Sequence, residues 1–147
     1  MRVIGPVNRV PQPALAIRGP GFMLPAMSPV KLYTLSNCDT CRKAVKWLRA
    51  RGVVFDERAI RETPPSATEL RTMLAAYRGE LRKLFNTSGG DYREQKLGEK
   101  LPSLTEAAAL ALLAGNGNLV KRPFAIGAGV ALVGFDEAAW TAAFPPR

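Results

Sequence analysis

The chain has 147 residues, 21 lysines and arginines against 12 acidic residues, a formal charge of +9, two cysteines and no histidine. The length suits one domain with its own hydrophobic core. The lack of histidine excludes Ser/His/Asp triads, Cys/His pairs and His-ligated metals, and we expect no metal site. No apolar run approaches the roughly 20 residues that cross a bilayer, so no membrane segment is expected.

The positive charge does not by itself predict nucleic-acid binding. From Arg42 to Arg93 the basic residues alternate with acids, and no long block of like charges occurs. We therefore expect a generally basic surface and no direct nucleic-acid binding. The alternatives are an anionic substrate, an acidic protein partner or nucleic acid.

Residues 1–29 are interrupted throughout by proline and glycine, which disfavour both helix and strand. Their three arginines face no acid, but the proline content argues against the amphipathic helix of a transit peptide. We predict a disordered or over-annotated N-terminal extension, followed by one domain over residues 30–147.

The first regular elements are a strand, a helix and a second strand. Residues 30–35 are apolar and rich in strand-forming types, and Asp39 to Ala50 carry apolar and basic residues at helical spacing. A second strand is expected from Val53 to about Ile60, after the helix-ending Gly52. This order predicts a βαβ unit with parallel strands and a right-handed crossover.

The chain then becomes helical before it returns to strands. Ser66 with Glu69 predicts a capping box on a helix to Tyr77, and Ser103 with Glu106 predicts another on a helix to Gly115. The remaining expected elements are short helical pieces over 80–85 and 91–96, a β-hairpin over 124–134 that turns at 127–129, and a last helix through Trp140 that Asp136 caps.

Two thiols, Cys38 and Cys41, stand one helical turn apart where the first strand passes into the first helix. The free N–H groups and the positive end of the helix dipole favour a thiolate at the first of them. A structural disulfide would close only a short loop, worth roughly 2 kcal/mol, so the pair predicts redox or thiol chemistry. Two inert buried thiols are the alternative. So few cysteines, without a secretion signal, indicate the cytoplasm.

Four motifs follow one another between Leu32 and Phe144. They are Leu32-Tyr33-Thr34 through Asn37-Cys38-Asp39-Thr40-Cys41-Arg42-Lys43-Ala44 to Trp47-Leu48, Leu84-Phe85-Asn86-Thr87 with Tyr92-Arg93, Leu119-Val120-Lys121-Arg122-Pro123, and Val133-Gly134-Phe135. Together they resemble the arsenate reductase (ArsC)/Spx/MgsR family of thioredoxin-fold proteins. The resemblance implies an α/β fold with a thioredoxin-like mixed four-stranded sheet and a helical insertion between strands two and three, here about residues 64–118.

The resemblance also assigns site residues, position by position. Cys38 matches the reactive cysteine, and Arg93 and Arg122 match two arginines that bind the substrate oxyanion. An arginine fork suits a tetrahedral oxyanion and an adjacent thiolate. A surface ion pair for Arg93 and a solvated charge for Arg122 are the alternatives. The other assignments are Pro123 as the cis-proline facing the site, and Asn37 and Thr40 as hydrogen-bonding partners of the thiolate or ordinary N-cap residues.

Two departures place the chain nearer to the Spx-like or uncharacterised CxxC branch than to true arsenate reductases. Reductases able to handle arsenate carry a third arginine on the last hairpin, where this chain has Val133-Gly134-Phe135. They usually have one cysteine in the loop, whereas Cys41 adds a second. A resolving thiol there can condense with a Cys38 sulfenate or mixed disulfide and release product without glutathione.

Two functional hypotheses follow. In the first, the protein is a thiol oxidoreductase in which Cys38 is the nucleophile and Cys41 the resolving thiol. It would reduce a disulfide or a small oxyanion with no bound cofactor, taking electrons from thioredoxin or from glutathione and glutaredoxin. In the second, it is a non-enzymatic Spx-like redox-sensing regulator that binds the RNA polymerase α subunit. A family member without redox function is a further alternative.

Overall fold

A central mixed sheet organises residues 29–145, the part of the chain that the computed structural model describes. Its strands, in the spatial order β2-β1-β3-β4, are β1 (Val30–Thr34), β2 (Phe55–Ala59), β3 (Phe124–Gly127) and β4 (Val130–Val133). β2 is parallel to β1, whereas β3 is antiparallel to both β1 and β4. The predicted thioredoxin-like α/β fold is confirmed. The predicted extension over residues 1–29 lies, apart from Pro29, outside the described residues.

Helix α1 (Asp39–Ala50) connects β1 to β2 and has the predicted bounds. Its buried residues recur at helical spacing and face the sheet: Cys41, Ala44 and Leu48. The two strands pair from Val30 opposite Phe55 to Thr34 opposite Ala59. Because they are parallel, their carboxyl ends meet at one edge of the sheet, and Cys38 lies in the loop that leaves this edge.

A helical insertion separates β2 from β3, as predicted. It contains α2 (Ala67–Ala76), α3 (Gly90–Glu94), α4 (Leu97–Lys100) and α5 (Glu106–Gly115), with 3₁₀ turns over Leu81–Leu84, Leu101–Ser103 and Gly117–Leu119. The capping box of α2 is present: Ser66 Oγ accepts from the Glu69 N–H and Glu69 Oε1 accepts from the Ser66 N–H, both at 3.1 Å.

The predicted start of α5 is wrong. The helix begins at Glu106 and its N-cap is Thr105, whose Oγ1 accepts from the Ala108 N–H at 3.1 Å. Ser103 instead ends a 3₁₀ turn and donates its hydroxyl to the Lys100 carbonyl at 2.9 Å. That turn packs its leucines against the core, namely Leu101 and Leu104. Tertiary packing therefore moves the helix start two residues along the chain.

The β3–β4 hairpin leads into α6 (Glu137–Ala143). Gly127, Ala128 and Gly129 have φ values of 119°, 54° and 81°, so the predicted tight turn is confirmed. Asp136 occupies the N-cap position of α6, but its side chain makes no capping hydrogen bond. The capping role predicted for Asp136 is therefore wrong.

Hydrophobic layers cover both faces of the sheet. On the face of α1 and α6 the core includes Val30, Leu32, Ala44, Leu48, Ala125 and Trp140. On the face of the insertion it includes Tyr33, Leu70, Met73, Leu113, Phe124 and Ile126. Trp140 is fully buried and the Trp47 ring packs edge-on against it at 6.0 Å, so both tryptophans serve the core, as predicted. No helix within residues 29–145 is long and apolar enough to cross a membrane.

Glu69 ties α2 to the sheet. Its Oε2 accepts from Lys31 Nζ at 2.9 Å, and its Oε1 accepts from the Tyr33 hydroxyl at 2.7 Å and from the Ser66 N–H. Burial raises the pKa of Glu69, but these hydrogen bonds outweigh burial, and the net pKa is lowered. A carboxyl whose pKa is lower in the folded state stabilises the fold above its unfolded pKa. That stabilisation is lost as the pH falls through the folded value.

We therefore expect the free energy of unfolding to decrease as the pH falls below about 4.3, partly through Glu69. Glu69→Gln should reduce this pH dependence, as measured by urea unfolding at stepped pH. Glu99→Gln is the control, because the exposed Glu99 side chain makes no hydrogen bond within residues 29–145. An equal acid dependence in Glu69→Gln and wild type would show that Glu69 does not contribute.

Candidate active site

The two cysteines occupy the start of α1 and differ in exposure. Cys38 is the N-cap residue, and its Sγ accepts from the Cys41 N–H at 3.3 Å. The Cys38 N–H in turn donates to the Leu35 carbonyl at 3.1 Å, which turns the loop back onto the end of β1. Cys38 is half-buried, whereas Cys41 is 2% exposed, and both are free thiols. Solvent and substrates therefore reach Cys38 more readily than Cys41.

The environment of Cys41 keeps it protonated. Burial, and next the hydrogen bond with Cys38, raises the pKa of the Cys41 thiol to about 12, while the nearby positive charge of Arg122 works in the opposite direction. A protonated thiol is a poor nucleophile. Cys41 therefore remains protonated and unreactive until Cys38 has reacted and a second thiol is needed.

Arg122 and Pro123 lie at the entrance to β3, the strand that pairs with β1. The peptide bond between them is cis, and Pro123 is buried. Arg122 is half-buried, and its Nη1 donates to the Asn118 carbonyl at 3.5 Å. The positive charge of Arg122 lowers the pKa of Cys41, against the larger effect of burial. The anion-binding role of Arg122 remains a prediction.

Three other predicted site residues make no hydrogen bond to the thiols in the described part of the chain. Arg93 is exposed, and its Nη1 donates to the Ser88 carbonyl at 2.7 Å. Asn37 and Thr40 lie on either side of Cys38, and both are exposed. Their roles, like that of Arg93, remain predictions.

Sequence reasoning missed a polar cluster centred on Asn118. Its Oδ1 accepts from Arg61 Nε at 2.6 Å, and its Nδ2 donates to Asp91 Oδ2 at 3.3 Å. Arg61 follows the carboxyl end of β2. Ligand sites of α/β sheets lie at that edge, so the position of Arg61 was a signal available in the sequence.

Sequence reasoning also missed a cavity of about 430 Å³ beside Cys41. Its polar lining comes from Thr34 of β1, Ser36 of the loop that follows, Glu57 of β2, and Arg42, Lys46 and Arg49 of α1. Thr34 Oγ1 donates to Glu57 Oε2 at 2.7 Å, and Arg42 pairs with Asp39 in the first turn of α1. The buried thiol therefore adjoins an open space lined by more cations than anions.

Within the described residues, no three Cys, Asp or Glu side chains lie close enough together to hold a metal ion. The chemistry that the arrangement can perform is that of its two thiols. A half-buried sulfur at a helix N-terminus and a buried sulfur one helical turn away suit nucleophilic attack followed by disulfide formation.

Comparisons with known proteins agree with this geometry. The family model of the ArsC family matches residues 33–143. YusI, an uncharacterized protein of Bacillus subtilis, is 45% identical over 105 residues, which cover 71% of this chain and 89% of YusI. The global transcriptional regulator Spx of Enterococcus faecalis is 33% identical over 106 residues, which cover 72% of this chain and 79% of Spx.

Comparison with solved structures points to the same family. A Bacteroides fragilis protein described as related to the ArsC family superimposes with a TM-score of 0.74 at 38% identity, covering 80% of this chain and 98% of that one. The resemblance that the motifs indicated is confirmed. Sequence motifs, sheet topology and relatives thus agree that this chain belongs to the ArsC family.

Proposed function

We propose that this protein is a thiol oxidoreductase in which Cys38 is the nucleophile and Cys41 the resolving thiol. The observation that carries the proposal is the unequal burial of two thiols one helical turn apart. Cys38 is half-buried at the N-terminus of α1, whereas Cys41 is 2% exposed, and the Cys41 backbone N–H donates to the Cys38 Sγ at 3.3 Å. The cytoplasm is the proposed location, because this chemistry needs a reduced dithiol and the cytoplasm keeps thiols reduced.

With a disulfide substrate, the Cys38 thiolate attacks one sulfur, forms a mixed disulfide and expels the other sulfur as a thiolate. Cys41 then loses its proton and attacks the Cys38 sulfur. The Cys38–Cys41 disulfide forms and the second half of the substrate leaves as a thiolate. The protein gives up two electrons and the substrate gains them, ending as two thiols once protonated. Thioredoxin, or glutathione with glutaredoxin, would return the protein to the dithiol.

With a small oxyanion, the Cys38 sulfur bonds to the central atom of the anion and displaces one hydroxyl group. The displaced hydroxyl group leaves as water. Attack of Cys41 on the Cys38 sulfur then releases the anion with the bonding electron pair, reduced by two electrons. Arg122 and Arg93 are the residues proposed to bind the anion. Because β4 carries no arginine and Cys41 is present, we expect disulfides to be better substrates than arsenate.

The test is a coupled assay in which NADPH, thioredoxin reductase and thioredoxin regenerate the protein, with hydroxyethyl disulfide or arsenate as substrate. A parallel assay replaces thioredoxin with glutathione and glutaredoxin. Wild-type protein should consume NADPH catalytically with the disulfide, whereas Cys38→Ser should be inactive. Cys41→Ser should stop at a mixed disulfide in the thioredoxin assay. Efficient glutathione-dependent arsenate reduction by Cys41→Ser would contradict the resolving role of Cys41.

The similarity to Spx of Enterococcus faecalis supports a second candidate function, a redox-sensing transcriptional regulator. In that case the same thiols form a switch, and the partner is the RNA polymerase α subunit. A regulator would be oxidised once without turnover. It would also bind the purified C-terminal domain of this polymerase subunit with an affinity that differs between the dithiol and disulfide forms. Titrating both forms against that domain separates the two candidates.

A further inference from the structure

Two guanidinium groups converge on Asn118. Arg61 Nε donates to its side-chain Oδ1 at 2.6 Å, and Arg122 Nη1 donates to its backbone carbonyl at 3.5 Å. The residue is itself held in place: its N–H donates to Asn116 Oδ1 at 3.0 Å, and its Nδ2 donates to Asp91 Oδ2. Asn118 is therefore a fixed platform that contacts both the exposed Arg61, from the end of β2, and Arg122, from the entrance to β3.

This platform lies at the edge of the sheet that carries the thiols. The Ile60 N–H donates to the Thr34 carbonyl at 2.9 Å, which extends the β1–β2 pairing to the residue before Arg61. On the neighbouring strand, the Cys38 N–H donates to the Leu35 carbonyl at 3.1 Å. Arg61 and Cys38 therefore leave adjacent parallel strands at the same carboxyl edge.

The two arginines carry charge that no carboxylate neutralises. Within residues 29–145, neither Arg61 nor Arg122 lies within 4.0 Å of an acidic oxygen. Asp91 accepts from the Asn118 amide, Glu62 is exposed, and within residues 29–145 neither acid forms an ion pair. Like charges held close together repel each other, and a bound anion would relieve the repulsion.

We propose that Arg61 is a further anion-binding residue of the site, which with Arg122 binds a small tetrahedral oxyanion such as sulfate or arsenate. Arg61 uses Nε for Asn118, so both of its terminal nitrogens stay available, and Arg122 uses one weak donor of several. Two planar forks can then hold two oxygens each. Asn118 is the positioning residue that sets the distance between them. The inference rests on the proposed function only in naming this anion as part of the substrate.

The test is a sulfate titration of the full-length reduced protein, followed by the NMR signals of the arginine side chains. Sulfate should shift the Nε–H signals of Arg61 and Arg122 in a saturable way. Arg61→Gln should weaken sulfate binding about 10-fold, the effect of losing a charge-assisted hydrogen bond. Arg61→Lys should recover only part of the affinity, because lysine keeps the charge but not the fork.

Arg71→Gln is the matched control, because Arg71 is exposed on α2 and, within residues 29–145, its side chain hydrogen-bonds only to Thr68 Oγ1 of the same helix, at 3.3 Å. It removes the same charge and should leave sulfate binding unchanged. Asn118→Ala should weaken binding without removing charge, and the Arg61 variants decide the matter if Asn118→Ala fails to fold. Sulfate-induced NMR shifts of equal size at Arg61 and Arg71 would overturn the proposal. Unchanged sulfate affinity in Arg61→Gln would overturn it as well.

The titration is repeated in Cys38→Ser, so that it does not depend on thiol chemistry. Saturable binding through Arg61 in a protein that shows no Cys38–Cys41 cycle would retain the anion site and reject the oxidoreductase function. A working thiol cycle without Arg61-dependent sulfate binding would retain the oxidoreductase function and reject the anion site. Wild-type Cys38 should also react faster with iodoacetate, relative to iodoacetamide, than it does in Arg61→Gln.

Discussion

Iodoacetamide at about pH 8 should modify Cys38 of the folded, reduced protein and leave Cys41 unmodified. Cys41 is 2% exposed, and burial together with the hydrogen bond to Cys38 raises its pKa to about 12. At about pH 8 such a thiol is ionised in roughly one molecule in 10,000, against about one in four for an ordinary thiol. Peptide mapping after a timed quench locates the label.

Cys38→Ser provides the sharper measurement, because only Cys41 remains. Its native-state labelling should be much slower than labelling of the same variant unfolded in guanidinium chloride, because burial, the larger cause of the raised Cys41 pKa, remains in this variant. Cys41→Ser is the matched variant and should keep one fast-reacting thiol. Equal labelling of both cysteines in the folded wild type would contradict the assignment of nucleophile and resolving thiol.

Oxidation should follow the same division of roles. Mild peroxide should remove about 2 mass units from the wild-type protein as Cys38 and Cys41 join in a disulfide. In Cys41→Ser, Cys38 should stop at a sulfenic acid, which dimedone traps. In Cys38→Ser neither product should form at the same peroxide concentration. A dimedone adduct on Cys41 would show that the buried thiol is reached after all.

Gly117→Ala should lower the free energy of unfolding by about 3 kcal/mol. A Cβ at this position would lie 1.9 Å from the Ile60 carbonyl oxygen and 2.7 Å from its carbonyl carbon. Both are backbone atoms, so no side-chain rotation can relieve the overlap. The end of β2 and the turn that begins at Gly117 would have to separate. Because Asn118 follows directly, sulfate binding should weaken as well.

Gly115→Ala is the control for this substitution, since a Cβ at Gly115 would meet nothing within 4 Å. Gly115 ends α5, where alanine is the better helix former, so the change should stay within about 1 kcal/mol and tend to stabilise. Urea unfolding of both variants gives the comparison. A Gly117→Ala variant as stable as Gly115→Ala would mean that the contact with Ile60 can relax.

Local sequence was sufficient to predict a structural element where residues close together in the chain determine it. The bounds of α1, the capping box of Ser66 with Glu69 and the turn at residues 127–129 depend on side chains or φ values within a few positions. Local sequence was insufficient at α5, where Ser103 and Thr105 both suit an N-cap. Packing of Leu101 and Leu104 on the core assigns Ser103 to the preceding turn and leaves the cap to Thr105.

The sequence by itself determined that two thiols share one helical turn and that Arg122 directly precedes Pro123, because these residues are neighbours in the chain. The helical spacing of Cys41 with Ala44 and Leu48 also placed Cys41 on the apolar side of α1, and the tertiary structure packs that side on the sheet. Only the tertiary structure brought Arg61 to Asn118, which lies 57 residues further along. Long-range contacts depend on how distant elements pack, and no local pattern contains that information.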